Sequence, residues 1–156
     1  MNIVKNFTVV FLLIFISACG FKPLVEKNKI NFYISDINFE GDRKINNYIE
    51  RNLKRYREPN TNLNGYKLLI FSQYSKNLTN KDKDGNPKNY NLKLIINAKI
   101  ISSDGTEISK SFERSTSMNS QSSKIKEKEI EKNNKKNLSN LLSEDLIFFL
   151  LTKKWS

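Results

Sequence analysis

Ile16-Ser17-Ala18-Cys19 is the stretch of this chain whose residue types and spacing specify a covalent chemistry. Met1 to Asn6 carries a single lysine, Lys5. Phe7 to Ile16 is a run dominated by Val, Phe, Leu and Ile, and two small residues and the only cysteine follow. A charged n-region, an apolar h-region and a small-residue cleavage site make a secretory signal. A cysteine directly after the small residues looks like a lipobox. Its thiol would take a diacylglycerol and, after cleavage between Ala18 and Cys19, become an acylated N-terminus. A thiolate suits this step because it is the good nucleophile near neutral pH. Small neighbours leave the backbone open to a peptidase. The alternatives are a transmembrane anchor and a buried core segment. The run from Phe7 to Ile16 is only half the ~20 residues needed to span a bilayer. The expected organisation is a cleaved signal over 1–18, a lipidated tether over 19–29 and one domain over 30–156. The expected prosthetic content is the diacylglycerol and N-acyl chain on Cys19, with no other cofactor.

Composition narrows the chemistry further. The mature length suits one domain with an ordinary core. A single cysteine excludes an intramolecular disulfide and a Cys-based metal site. The chain has no histidine, which removes the commonest general base and the commonest zinc ligand. Catalysis would rest on carboxylates or lysine, and no spacing clusters them, so an enzyme is not expected. Asp82-Lys83-Asp84-Gly85-Asn86 shares the opening of a calcium loop. An EF-hand needs glycine at the sixth position and glutamate at the twelfth; counted from Asp82, the glycine is fourth and the twelfth residue is Lys93. No metal is expected. The formal charge of +11 suggests anionic partners. The Lys and Asn excess, with few Arg and Gly, is also what an AT-rich genome gives any protein, and this halves the weight of the charge. The export signal disfavours nucleic acid.

Ile30, Phe32 and Ile34 alternate with polar residues as a half-buried strand. The apolar phase then slips to Ile37 and Phe39, which predicts a bulge or bend near Asp36. Gly41-Asp42 reads as a turn and N-cap. Ile45, Ile49, Leu53 and Tyr56 recur at helical spacing over about four turns, ended by Pro59. Tyr66 to Leu78 is a long strand. Leu68 to Phe71 are all apolar, so both faces of its first half are expected to be covered. Thr79 to Asn89 reads as a polar loop. Tyr90 to Ile100 alternates cleanly, with Leu92, Leu94, Ile96 and Ala98 on one face. Ser103-Asp104-Gly105-Thr106 is a hairpin signal of type I′. Ile108 to Met118 returns as an edge strand protected by charge, with Phe112 facing in beside Lys110 and Arg114. Ser122 or Ser123 caps a last helix running to about Leu151. Its first half is predicted to be a solvated extension. Its second half carries Leu138, Leu141, Leu142, Leu146 and Phe149 on one stripe, for burial in the core or against a partner or membrane.

Two helices with apolar stripes need a sheet face to cover. The predicted fold is an α+β two-layer sandwich, with two helices packed on one face of a four-stranded, mainly antiparallel sheet. The other face would carry Lys93, Ile95, Asn97, Lys99 and Ile101. Such a face suits an amphiphile or a partner wall, or is plain solvated surface.

The lipobox followed by Gly20-Phe21-Lys22-Pro23-Leu24 resembles the mature start of LptE-family lipoproteins of the alphaproteobacterial type. Asp42-Arg43 opening a helix, the Tyr66-Lys67-Leu68 strand, the Asp-Gly hairpin and the long charged last helix agree in order. The chain departs from the family in replacing much Arg by Lys and in its Lys/Asp-rich 79–89 segment. The resemblance implies a non-enzymatic outer-membrane lipoprotein, facing the periplasm and seated within an LptD-type β-barrel. It would plug that barrel, assist its assembly and help deliver lipopolysaccharide to the outer leaflet. The implied partners are the barrel, lipopolysaccharide and the membrane through the lipid anchor. Lysine ammonium groups pair with lipid A phosphates as point charges. The candidate contacts are Lys81, Lys83 and Lys88 at the loop tip, with Lys93 and Lys99 on the open sheet face. Gly20 after the lipidated cysteine agrees with an outer-membrane destination. Alternatives are another periplasm-facing adaptor lipoprotein of an envelope assembly machine, and a periplasmic enzyme with a carboxylate or lysine pair in a pocket.

Overall fold

The first strand, β1 (Phe32–Gly41), carries its apolar residues on one side until Ile34. There the register to the neighbouring strand slips: Ile34 lies opposite Tyr66, and Asp36 lies opposite Lys67. Ser35 is the extra residue of a bulge. The bulge returns Ile37 and Phe39 to the face that holds Leu68 and Ile70, as the apolar pattern predicts. The structure, a computed structural model, describes residues 30–59 and 63–153. The signal, the tether and Cys19 lie outside the described residues. The chain separates into the units Met1–Ile30 and Asn31–Ser156, and the fold is that of the second.

Helix α1 (Arg43–Leu53) follows and is extended by a 3-10 turn, Lys54–Tyr56. The Asp42 carboxylate caps it, accepting from the Lys44 N–H at 2.9 Å and the Ile45 N–H at 3.2 Å. Ile45, Ile49, Leu53 and Tyr56 are all buried. The chain then enters β2 (Asn64–Lys81), parallel to β1, and meanders through β3 (Pro87–Ser102) and β4 (Glu107–Asn119). The sheet order is β1-β2-β3-β4, so β4 is an edge strand as expected. Helix α2 (Lys124–Thr152) closes the domain, capped by Ser123. Both helices cover one face of the sheet. The predicted two-layer α+β fold is the one observed.

The core is an interlock of β3 and the helices. Leu92, Leu94, Ile96, Ala98 and Ile100 face Leu138, Leu142, Leu146, Ile147 and Leu150, all buried. Phe32 stacks on Tyr56 at 5.5 Å between ring centres and lies beside Tyr66 at 5.8 Å. The two helices approach closely because α2 offers small residues, Ser139 and Ser143, both buried. Each hydroxyl donates back to a carbonyl of its own helix, so neither is left unsatisfied. Asn52 Nδ2 joins the helices, donating to Asn140 Oδ1 at 3.0 Å and Ser143 Oγ at 3.2 Å. The buried hydrophobic residues among those described run from Phe32 to Leu150.

Four expectations need correction. Thr79–Asn89 is not a loop: the strands run on to Lys81 and resume at Pro87. Antiparallel pairing satisfies the backbone of this polar segment, which no apolar alternation announces. The hairpin at Asp104-Gly105 is not type I′, which needs positive φ at both central residues. Among the described residues only glycines have positive φ, Gly105 at 86°. Asp104 avoids the left-handed region, and its carboxylate accepts instead from the Thr106 N–H at 2.8 Å. The first half of β2 is covered on one face only, since Phe71 is 43 % exposed. Finally, the polar half of α2 is not a free extension but docks on β2.

Candidate functional site

Both hairpins close by the same chemistry. In each, the fourth residue donates its N–H to the first carbonyl: Gly85 to Asp82 at 3.1 Å, and Gly105 to Ser102 at 3.0 Å. In each, a left-handed glycine then lets the chain turn into the next strand. The β2–β3 hairpin thereby brings Lys81, Lys83 and Lys88 to one exposed tip. The Asp82 carboxylate is engaged within the turn. It accepts from the Asn86 N–H at 2.8 Å, the Asp84 N–H at 3.0 Å and Asn86 Nδ2 at 3.1 Å. Those hydrogen bonds, led by the ones from Asn86, hold it below the usual carboxylate range.

Lys93 and Lys99 lie on the open sheet face as predicted, but neither is a free cation. Lys93 Nζ pairs with Glu113 at 2.7 Å and Lys99 Nζ pairs with Glu107 at 2.7 Å. Both pairs are diagonal. Lys93 lies opposite Ser115 and Lys99 opposite Ser109, and each reaches the glutamate two residues earlier in β4. The signal was present in the sequence: the two lysines are spaced as the two glutamates are. These exposed pairs contribute about 0–1 kcal/mol each, so breaking them costs little. Lys99 borders a shallow groove lined by Leu69, Phe71, Asn38, Glu40, Asn97 and Ser109. Here a cation and the exposed Phe71 side chain border one groove of the sheet. Lys93 is six residues from Lys99, about 20 Å along the strand, and the tip lysines lie beyond it. The five candidates therefore form a line down the β2–β3 arm rather than one pocket.

A partly buried ionic cluster, which sequence reasoning missed, holds that arm against α2. Lys76 Nζ donates to Glu127 Oε1 at 2.9 Å and to Glu131 Oε2 at 3.1 Å, and lies 4.3 Å from the centre of the Tyr90 ring. Tyr74 donates its hydroxyl to Glu131 Oε1 at 3.0 Å, and Lys135 Nζ lies 3.8 Å from the Tyr74 ring centre. Glu127 is only 5 % exposed. Its second oxygen accepts from Ser120 Oγ and the Gln121 N–H, both at 3.2 Å. The Lys76 and Gln121 hydrogen bonds outweigh burial and lower its pKa to about 2. Burial works against the Glu131 carboxylate, but Lys76 and Tyr74 outweigh it and hold its pKa below the ordinary value. Burial, and then the Glu131 charge, push the Tyr74 phenol well above its usual range. These groups are charge-balanced and mutually satisfied, which marks a brace rather than a reactive centre.

The outer side of α2 leaves Leu141 46 % and Phe148 56 % exposed. They are seven residues apart and so share a helix face. Beside them Phe149 meets Phe112 edge-on at 6.0 Å. Arg114 makes a bidentate pair with Asp145, at 2.8 Å from Nε and 2.7 Å from Nη2. The predicted stripe thus divides: Leu138, Leu142 and Leu146 serve the core, while Leu141 stays exposed together with Phe148, a residue outside that stripe. Among the described residues no helix is long and apolar enough to cross a membrane.

No family model and no curated protein matches this chain by sequence. Its fold, however, matches solved bacterial lipoproteins along most of both chains. Rare lipoprotein B of Shewanella oneidensis is similar with a TM-score of 0.55 at 8 % identity, over 72 % of this chain and 90 % of that one. A minor lipoprotein of Acinetobacter baumannii gives 0.55 at 15 % identity, over 83 % and 93 %. Lipoprotein B of Nitrosomonas europaea gives 0.54 at 9 % identity, over 81 % and 88 %. At these identities the likeness concerns the fold: this chain is built as those small lipoproteins are.

Proposed function

We propose that this protein is an LptE-like lipoprotein of the outer membrane, anchored by lipid on Cys19 and facing the periplasm. In this reading it seats within an LptD-type β-barrel, assists the barrel's assembly and helps pass lipopolysaccharide to the outer leaflet. It is not an enzyme, it carries no cofactor beyond its acyl chains, and nucleic acid is not a partner. The observation that carries the proposal is the fold shared with bacterial lipoproteins, joined to a signal-like segment that ends at Ala18 and is followed by Cys19-Gly20-Phe21-Lys22-Pro23-Leu24.

The geometry supplies a physical route. A β2–β3 arm braced by the Lys76 cluster presents Lys81, Lys83 and Lys88 at its tip. Farther back, Lys99 stands beside half-buried Leu69 and exposed Phe71. Phosphates of an amphiphile pair with the ammonium groups, and its acyl chains cover the apolar residues. The exposed Leu141–Phe148 face of α2 is the natural wall contact for a barrel lumen.

Depletion in the native host tests the assembly role. The proposal expects the folded form of the large barrel to fall as the protein is lost. It expects wild-type protein to restore the barrel and Cys19→Ala to restore it poorly. Normal barrel levels after depletion would contradict it.

A further inference from the structure

Arg51, Lys54, Arg55 and Arg57 crowd the end of α1 and the residues just beyond it. The chain has five arginines, and three of them stand in this stretch. A general lysine excess does not account for that. All four cations are exposed, and among the described residues none forms an ion pair. Arg51 lies 6.0 Å from the Tyr48 ring centre and Arg55 lies 5.1 Å from that of Tyr56. The rings fix the two guanidinium groups without neutralising them. The four cations line an open groove of about 680 Å³ with Glu58 and Pro59. Glu50 and Glu58 are the carboxylates of the same stretch, and Glu144 shares a smaller cavity with Arg55. A helix C-terminus favours a cation in its last turn, which explains Arg51. It does not explain Arg55 and Arg57, which lie past the helix end.

The position of this patch in the fold decides its partner. β1 and β2 are parallel and α1 connects them, so α1 returns to the end of the sheet where β1 starts. The stacking of Tyr56 on Phe32 fixes this. The patch is therefore at the end where the chain enters the domain. Cys19 is eleven residues before Ile30, a reach of at most about 40 Å when fully extended. That connecting stretch carries Lys22, Lys27 and Lys29 against Glu26. The hairpin tip with Lys81, Lys83 and Lys88 lies at the other end of β2, about 55 Å away along the strand.

We infer that Arg51, Lys54, Arg55 and Arg57 form an electrostatic contact with the anionic phospholipid surface that holds the Cys19 lipid, turning this end of the domain towards the membrane. The inference rests on the proposed lipidation of Cys19. Guanidinium groups suit the role because they grip phosphate oxygens in pairs. A basic patch next to an acyl anchor is the two-signal arrangement that makes lipid anchoring stable. The patch then sets orientation, and the lysine arm points away from the leaflet that holds the anchor.

The test uses the polypeptide from Gly20 onward, which contains the whole core-bearing unit and carries no lipid. Its sedimentation with phosphatidylethanolamine vesicles containing about 30 % phosphatidylglycerol is measured at about 0.1 M salt. The wild-type chain should bind these vesicles and not purely zwitterionic ones. The triple variant Arg51→Gln, Arg55→Gln, Arg57→Gln should bind about tenfold or more weakly with an unchanged circular-dichroism spectrum. The variant Lys81→Gln, Lys83→Gln, Lys88→Gln should bind within about twofold of wild type, since its lysines are remote. Undetectable wild-type binding, equal binding to zwitterionic vesicles, or an arginine variant that binds as wild type would overturn the inference. The intact mass of the full chain extracted from membranes tests the anchor separately. An unmodified Cys19 would remove the premise, whatever the vesicles show.

Discussion

Gly41 stands where β1 hands over to α1, with φ at 93°, and a Cβ there would overlap the Ser72 carbonyl oxygen. That carbonyl accepts from the Asp42 N–H at 3.2 Å, so the corner and the helix cap depend on one another. Buried Asn46 completes the corner, donating to the Glu40 carbonyl at 3.1 Å and accepting from Ser72 Oγ at 2.6 Å. Gly41→Ala should cost about 2–4 kcal/mol in thermal or urea unfolding, through strain and displacement together. Glu127 carries the clearest pH signature. Its carboxylate is lowered from its ordinary 4.5 to about 2. The stability it contributes is therefore present above about pH 4.5 and is lost as pH falls towards 2. Urea midpoints measured from pH 6 down to pH 2.5 should fall more steeply for wild type than for Glu127→Gln. At neutral pH the variant should be about 1–3 kcal/mol less stable, because Lys76 keeps only Glu131 as its acid partner. Equal slopes for the two proteins would show that the pairing contributes nothing. Neither residue was legible in the sequence in this role. Gly41 read as an ordinary turn residue, and Glu127 read as part of a solvated charged run.

At the scale of elements, legibility followed periodicity. The alternation of β3 and the Ile45-Ile49-Leu53-Tyr56 repeat located their strand and helix, because one face of each is buried and the period records it. The bulge at Ile34–Asp36 was readable for the same reason: a slipped apolar phase must be absorbed by an extra residue. The 79–89 segment was not readable, since its pairing rests on backbone hydrogen bonds that leave no apolar trace. The docking of α2's polar half escaped because Lys76 pairs with glutamates from a distant part of the chain. α2 offers a sharp comparison. Leu142 is buried and its neighbour Leu141 is 46 % exposed. Leu142→Ala should destabilise the domain by about 2–5 kcal/mol, and Leu141→Ala by less than about 0.5 kcal/mol. If Leu141 and Phe148 form the partner wall, Leu141→Ser with Phe148→Ser should leave unfolding nearly unchanged while weakening recovery of the barrel. On the open face, Glu107→Ala with Glu113→Ala frees Lys99 and Lys93. This pair of changes should alter stability by no more than about 1–2 kcal/mol. It should strengthen binding of lipopolysaccharide micelles if those lysines meet phosphate. Weaker binding would argue that the ligand avoids this face.

The whole molecule has two basic ends separated by the length of β2. One lies where the chain arrives from Cys19, and the other is the braced lysine tip. Under the proposed lipidation of Cys19, the domain would reach away from the leaflet that holds the anchor, as the proposed plug within a barrel requires. The fold class was legible because the order of elements left few ways to cover two amphipathic helices. The candidate site was only partly legible. The sequence placed its lysines at the hairpin tip and on the open face, where the structure has them, but could not reveal the glutamates that hold two of them, nor the brace behind the arm. The measurement that tests the central claim most directly is recovery of the tagged, lipidated protein from detergent-solubilised outer membranes, with identification of what comes with it. The account predicts a large β-barrel of the LptD type in equal stoichiometry. Recovery of the protein without such a barrel, or with a different envelope complex in its place, would contradict it.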